Sequence, residues 1–184
     1  MDVESLAIEG VKVLTPRRFA DDRGYFTETY NKRQFDEQVA PLTFVQDNAS
    51  FSKHQYTVRG LHYQAPPFAQ DKLVRVLKGS ILDVVVDVRR GSPTFGQTAS
   101  AELSADNGKQ LLCPIGFLHG FMTLEPDTLV AYKVTNFYDG PSDGGVFWAS
   151  PELDLPWPVG PEKAHLSEKD VKAPKFSTFE TPFT

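Results

Sequence analysis

The chain has a single cysteine, Cys113, among its 184 residues. That excludes an internal disulfide and any cysteine-rich zinc site. It has no basic run: 19 Lys and Arg stand against 24 Asp and Glu, for a formal charge of −5. A nucleic-acid surface needs clustered cations, so no such partner is expected, and an anionic ligand would have to be held by a few local cations. Long apolar runs are absent too. The longest, Ile81–Val88, is broken by Asp83 and Asp87 and falls well short of the ~20 residues of a membrane helix. The opening Met1-Asp2-Val3-Glu4-Ser5 lacks the basic and apolar regions of a signal peptide, so a cytoplasmic protein without membrane contact is expected. No Gly-x-Gly-x-x-Gly stretch occurs, which removes the usual dinucleotide fingerprint.

What is present is a succession of short strand-like segments. Gly10–Leu14, Gly24–Tyr30, Thr43–Phe51, Thr57–His62, Lys72–Leu77, Ile81–Val88, Phe95–Leu103, Lys109–Cys113, Gly120–Leu124 and Leu129–Asn136 are separated by Gly-, Pro-, Asn- and Asp-rich turns. Helical pattern is confined to Asn31–Val39 and to Ser167–Val171, where Ser167 precedes Asp170 by three residues. The length suits one domain spanning 1–184. Many short strands with a few short helices predict an all-β jelly roll enclosing a cavity. The tail from Pro151, with Trp157, Phe176, Phe179 and Phe183, is expected to pack across that barrel.

The stretch from Gly108 through Pro114-Ile115-Gly116-Phe117-Leu118-His119 is similar to the second motif of the cupin superfamily, and Gly60–Gly79 stands where the first would fall. That resemblance implies a cupin-type double-stranded β-helix. Metal-binding cupins place His-x-His and a Glu in the first motif. Here Arg59-Gly60-Leu61-His62-Tyr63-Gln64 and Lys72 occupy that region. A lysine beside a divalent cation is electrostatically unfavourable and Gln is a poor transition-metal ligand, so no metal is expected. What remains is a set of groups suited to proton transfer: His62, Lys72, His119, Tyr132 and Tyr138, with Arg23 and Arg59 as cations.

Asp21-Asp22-Arg23-Gly24-Tyr25-Phe26-Thr27-Glu28, Gln46-Asp47-Asn48-Ala49-Ser50, Arg59–Gln64, Lys72-Leu73-Val74-Arg75-Val76, Pro114–Phe121, Tyr132-Lys133-Val134 and Leu166–Asp170 together resemble, in order, the signature stretches of the dTDP-4-dehydrorhamnose 3,5-epimerases. The resemblance implies cofactor-free epimerisation on both sides of a 4-keto group. It makes His62 the general base, Asp170 its orienter, Lys72 the stabiliser of the enolate and Tyr132 the acid on the opposite face. It puts His119 close by, Arg23 and Arg59 on the diphosphate, and Gln46, Asp47 and Asn48 near the thymidine, with Glu28 beside them. Tyr138 and Phe26 would stack on the base, Lys169 would reach in from the tail, and Asp143 stands where some members carry a Glu that contacts substrate. A homodimer whose sites are completed by the neighbouring subunit is implied as well. Read without that family, His54 and His165 are structural, Arg23 could simply pair with Asp21 or Asp22, and Asp170 could be a helix-cap residue. Three alternatives stay open: a single-site epimerase on a related nucleotide-linked sugar, a metal-dependent cupin, and a non-catalytic sugar-nucleotide binder.

Overall fold

A computed structural model describes residues 1–184. Each apolar, alternating segment of the sequence pairs as an antiparallel strand: β1 (Asp2–Ser5), β2 (Lys12–Thr15), β3 (Arg18–Asp21), β4 (Gly24–Thr27), β5 (Gln46–Ser52), β6 (Val58–Gln64), β7 (Lys72–Lys78), β8 (Ser80–Asp87), β9 (Thr98–Ser104), β10 (Gln110–Cys113), β11 (Phe117–Thr123), β12 (Thr128–Val134) and β13 (Asp143–Gly145). Two short helices, α1 (Lys32–Gln38) and α2 (Glu168–Val171), accompany them. A six-stranded sheet runs β1-β2-β10-β7-β12-β5, a five-stranded sheet runs β13-β6-β11-β8-β9, and β3-β4 stands apart as a hairpin. These are the two facing sheets of a jelly roll. No helix is long and apolar enough to cross a membrane.

Side chains alternate across a strand, so register decides which residues face the interior. On β8, Ile81 and Val85 join the core between the sheets, with Val74, Val76, Leu111, Phe117, Phe121 and Val130. The alternate residues Val84, Val86 and Val88 face the other way and pack under the C-terminal tail with Leu153 and Phe183. β8 is therefore buried on both faces, which explains its nearly continuous run of β-branched residues. Helix α1 covers the outer face of the six-stranded sheet by inserting Phe35 against Leu14, Leu73 and Leu112.

The tail does pack across the barrel. Trp157 donates through Nε1 to the Trp148 carbonyl at 3.0 Å, and Phe176 and Phe179 lie against the cluster under the tail. Ser150 ties the tail down: its hydroxyl donates to the Phe147 carbonyl at 2.8 Å and accepts from the Phe176 amide at 3.0 Å. Further on, His165 exchanges backbone hydrogen bonds with the start of β6, accepting from Val58 and donating to Tyr56, both at 2.9 Å. That anchorage delivers α2 to the mouth of the barrel.

Candidate active site

Period-two geometry carries the site. Lys72 is in step with the inward Val74 and Val76 on β7, and Tyr132 with the inward Val130 on β12. Asn48 pairs with Tyr132 across the β5–β12 register, and His119 pairs with His62 across β11–β6. All of these side chains reach one cleft of about 780 Å³ at the open end of the sandwich. The same parity turns Asp47 outward, where it takes an ion pair from Lys133 at 2.8 Å instead of lining the cleft.

His62 hydrogen-bonds through Nε2 to Asp170 Oδ1 at 2.6 Å. Asp170 is buried at the N-terminal turn of α2, whose cap, Ser167, accepts from the Asp170 amide at 3.2 Å and donates to Asp170 Oδ2 at 2.9 Å. The cap reading and the orienter reading of Asp170 thus hold together. Burial alone would raise the Asp170 pKa, but the His62 hydrogen bond and charge, with help from Ser167 and Lys169, outweigh it and hold the carboxyl below its ordinary range.

A second pair lies directly beside the first. His119 Nε2 meets Asp83 Oδ1 at 2.6 Å, and both groups are buried. In the sequence Asp83 is only an interruption of the apolar run. The signal lay in parity, since Asp83 shares the inward face of β8 with Ile81 and Val85. The two histidine strands touch closely at Gly60, whose φ is +127°. A Cβ there would sit 2.5 Å from Gly120 Cα and 2.8 Å from the His119 carbonyl, so no side chain fits this crossing.

Across the cleft, burial lowers the pKa of Lys72, an effect that the nearby acidic groups, Asp143 and Asp83 among them, offset only in part. Burial raises the pKa of Tyr132, with Arg59 pulling the other way. The Tyr132 phenol therefore stays protonated near neutrality and can donate, whereas the Lys72 ammonium is partly destabilised by its burial. Arg59 is fixed to the end of β5 by bonds to the Phe51 carbonyl at 2.9 Å and Ser52 Oγ at 3.2 Å. Gln46 donates to Asn48 Oδ1 at 2.8 Å and accepts from the Tyr138 amide at 3.2 Å. Asp143 pairs with Lys169 and accepts from the Tyr138 hydroxyl at 3.3 Å.

Besides Asp47, three more expected contacts are not brought to this cleft within one chain. Arg23 sits exposed at the tip of the β3–β4 hairpin, paired with Asp21 at 2.6 Å. Phe26 is 70% exposed on the same hairpin, and Glu28 accepts from Asn31 at 3.0 Å beside a separate hollow. Conversely, His54 and His165, read as structural, both line the cleft and stack with ring centroids 4.7 Å apart. No group of three or more His, Cys, Asp or Glu side chains is arranged to hold a metal ion.

A jelly-roll cleft lined by an imidazole bonded to a buried carboxylate, with a phenol on the other sheet, has the outline of a proton-transferring isomerase of the cupin type. The sequence matches the family described as dTDP-4-dehydrorhamnose 3,5-epimerase over residues 5–178, and the chain belongs to that family. It is 49% identical to the Sinorhizobium fredii dTDP-4-dehydrorhamnose 3,5-epimerase, covering 100% of this chain and 93% of that one. Its fold is similar to the crystal structure of a Legionella pneumophila dTDP-6-deoxy-D-glucose-3,5-epimerase in complex with dTDP-4-keto-L-rhamnose (TM-score 0.92, 38% identity, 97% and 94% of the two chains). It is also similar to a 3'-monoepimerase from Streptomyces bikiniensis in complex with dTDP-quinovose, at TM-score 0.87 and 31% identity over 94% of this chain and 87% of that one.

Proposed function

We propose that the chain catalyses the double epimerisation, at C3 and C5, of dTDP-4-dehydro-6-deoxy-D-glucose to dTDP-4-dehydro-L-rhamnose. The observation that carries this is the 2.6 Å bond between His62 and Asp170 at a cleft that Lys72 and Tyr132 also line.

His62 removes the proton from a carbon next to the 4-keto group, using the ring nitrogen not bound to Asp170. Asp170 fixes the tautomer and stabilises the imidazolium that forms. The C–H electron pair moves into a C=C bond, and the ketone oxygen becomes an enolate oxygen whose negative charge Lys72 stabilises. Tyr132 then gives its phenolic proton to the carbon from the opposite face, which inverts the centre. Solvent returns a proton to the phenolate and takes one from the imidazolium. Repeating the cycle on the other side of the same ketone gives the 3,5 product. The ketone already on the substrate makes a nicotinamide unnecessary.

Arg59 holds the diphosphate, and Gln46 and Asn48 contact the thymidine, with Tyr138 stacking on its base. Arg23, Phe26 and Glu28 belong to the same proposal as contributions to the site of a neighbouring subunit. Their exposure outside their own chain's cleft supports a homodimer. The protein is read as one cytoplasmic domain, 1–184. The test is to follow the sugar carbons by NMR in deuterated water. Deuterium is expected at both C3 and C5, and its entry at one carbon only would replace the double by a single epimerase. Light scattering of the purified protein is expected to give twice the 20.5 kDa chain mass, and a monomer would remove the shared-site part.

A further inference from the structure

Asp71 immediately precedes Lys72 and is 8% exposed. Its surroundings are unusual for a connection between strands. One carboxylate oxygen accepts from the Ile115 amide at 3.0 Å. The other accepts from the Thr135 hydroxyl at 2.9 Å. The Asp71 amide donates back to that hydroxyl at 2.8 Å, and the Thr135 amide donates to the Asp71 carbonyl at 3.2 Å. Every polar atom of this residue is thus in use.

The three joined segments are the ones that carry the chemistry. Thr135 follows Tyr132 by three residues at the end of β12, and Ile115 lies in the turn entering β11, four residues before His119. β7 and β12 belong to the six-stranded sheet, whereas β11 belongs to the five-stranded sheet and pairs with the strand carrying His62. β10 pairs with β7 as far as Cys113 and Lys72, but no backbone ladder joins β7 or β12 to β11, so the carboxylate is a polar link from the acid side of the cleft to the turn that leads into the base side. From this we infer that Asp71 is a positioning residue that holds the end of β12, and with it Tyr132, in register with the imidazole pair, making proton delivery from the second face keep pace with proton removal from the first. The inference rests on the proposed epimerisation and assigns Asp71 no contact with substrate.

Inversion needs both faces to be aligned, whereas exchange with retention needs only the base and the enolate stabiliser. Loosening the link should therefore depress inversion more than exchange, since a displacement of ~1 Å can cost on the order of a hundredfold in a positioned step. The experiment compares wild type, Asp71→Asn and Thr135→Val in deuterated water with dTDP-4-dehydro-6-deoxyglucose. It reads deuterium in recovered substrate against deuterium in inverted product, with KM and thermal midpoint measured alongside. Asparagine keeps the shape but can accept on one side only, and Thr135→Val leaves the Ile115 contact intact should the first variant fold poorly. The exchange-to-inversion ratio is expected to rise on the order of tenfold in Asp71→Asn and less in Thr135→Val, with KM little changed. Equal loss of exchange and inversion, leaving the ratio at its wild-type value in both variants, would overturn the inference and make the link merely structural. A wild-type protein showing neither exchange nor inversion would instead overturn the epimerase reading, and this one with it.

Discussion

The two sheets bring different chemistry to one cleft. The five-stranded sheet contributes His62 and His119, each bonded at 2.6 Å to its own carboxylate. The six-stranded sheet contributes Lys72 and Tyr132, whose pKa values are moved first by burial and not by a bonded partner. A base must be oriented to take a proton from one direction, and a carboxylate at its far nitrogen does that. On the facing wall desolvation keeps the Tyr132 phenol protonated, while it works against the Lys72 ammonium, which the nearby acidic groups offset only in part. The β3–β4 hairpin belongs to neither arrangement. Its Arg23 is paired locally and does not line this cleft of its own chain.

The contrast can be broken first on the base side. His62→Ala is expected to lower turnover about 10²–10⁴-fold, the range for losing a general base, while nucleotide binding by calorimetry stays near wild type. The hairpin comes next. Arg23→Ala should raise the apparent KM for the sugar nucleotide on the order of tenfold, as loss of a charge-assisted phosphate contact implies. Its thermal midpoint should not move, because the Asp21 pair is a surface one. If KM also stays put, the hairpin has no part in the site.

The smallest expected effect is on stability. The folded-state pKa of Asp170 is depressed, so its stabilising contribution is complete above the unfolded carboxyl value of about 3.9 and is lost as pH falls through the folded value. Thermal melts of wild type and Asp170→Asn should therefore differ most above about pH 5 and converge as pH falls below about 3.9 through the depressed folded value. A gap that widens in acid would show that the His62 bond does not stabilise the ionised carboxylate.

Much of this was legible in the sequence, for identifiable reasons. All ten strands read from alternation and turn residues are present, and so are both helices, because their patterns were amphipathic or capped. The strands that went unread are β1, β3 and β13. Asp2–Ser5 and Arg18–Asp21 each hold too few apolar residues to show a period, and Asp143–Gly145 contains two glycines that read as a turn. Within the site, motif order located His62, Lys72, His119, Tyr132 and Asp170. It gave no warning about Asp47, which strand parity alone turns away from the cleft. Asp83 and Asp87 looked like breaks in an apolar strand. Each is instead buried and bonded, Asp83 to His119 and Asp87 to Arg89, Ser92 and Thr94. Such partners depend on cross-strand register and on loop return, which composition does not encode. The His54–His165 stack depends likewise on where the tail lands.

In the proposed mechanism, proton removal and proton delivery come from opposite sheets. Tyr132→Phe, incubated with substrate in deuterated water, tests that division most directly. Deuterium should still enter the recovered substrate through His62, while inverted product falls by about a hundredfold. Inversion at the wild-type rate in this variant would contradict the assignment of the six-stranded sheet as the acid face.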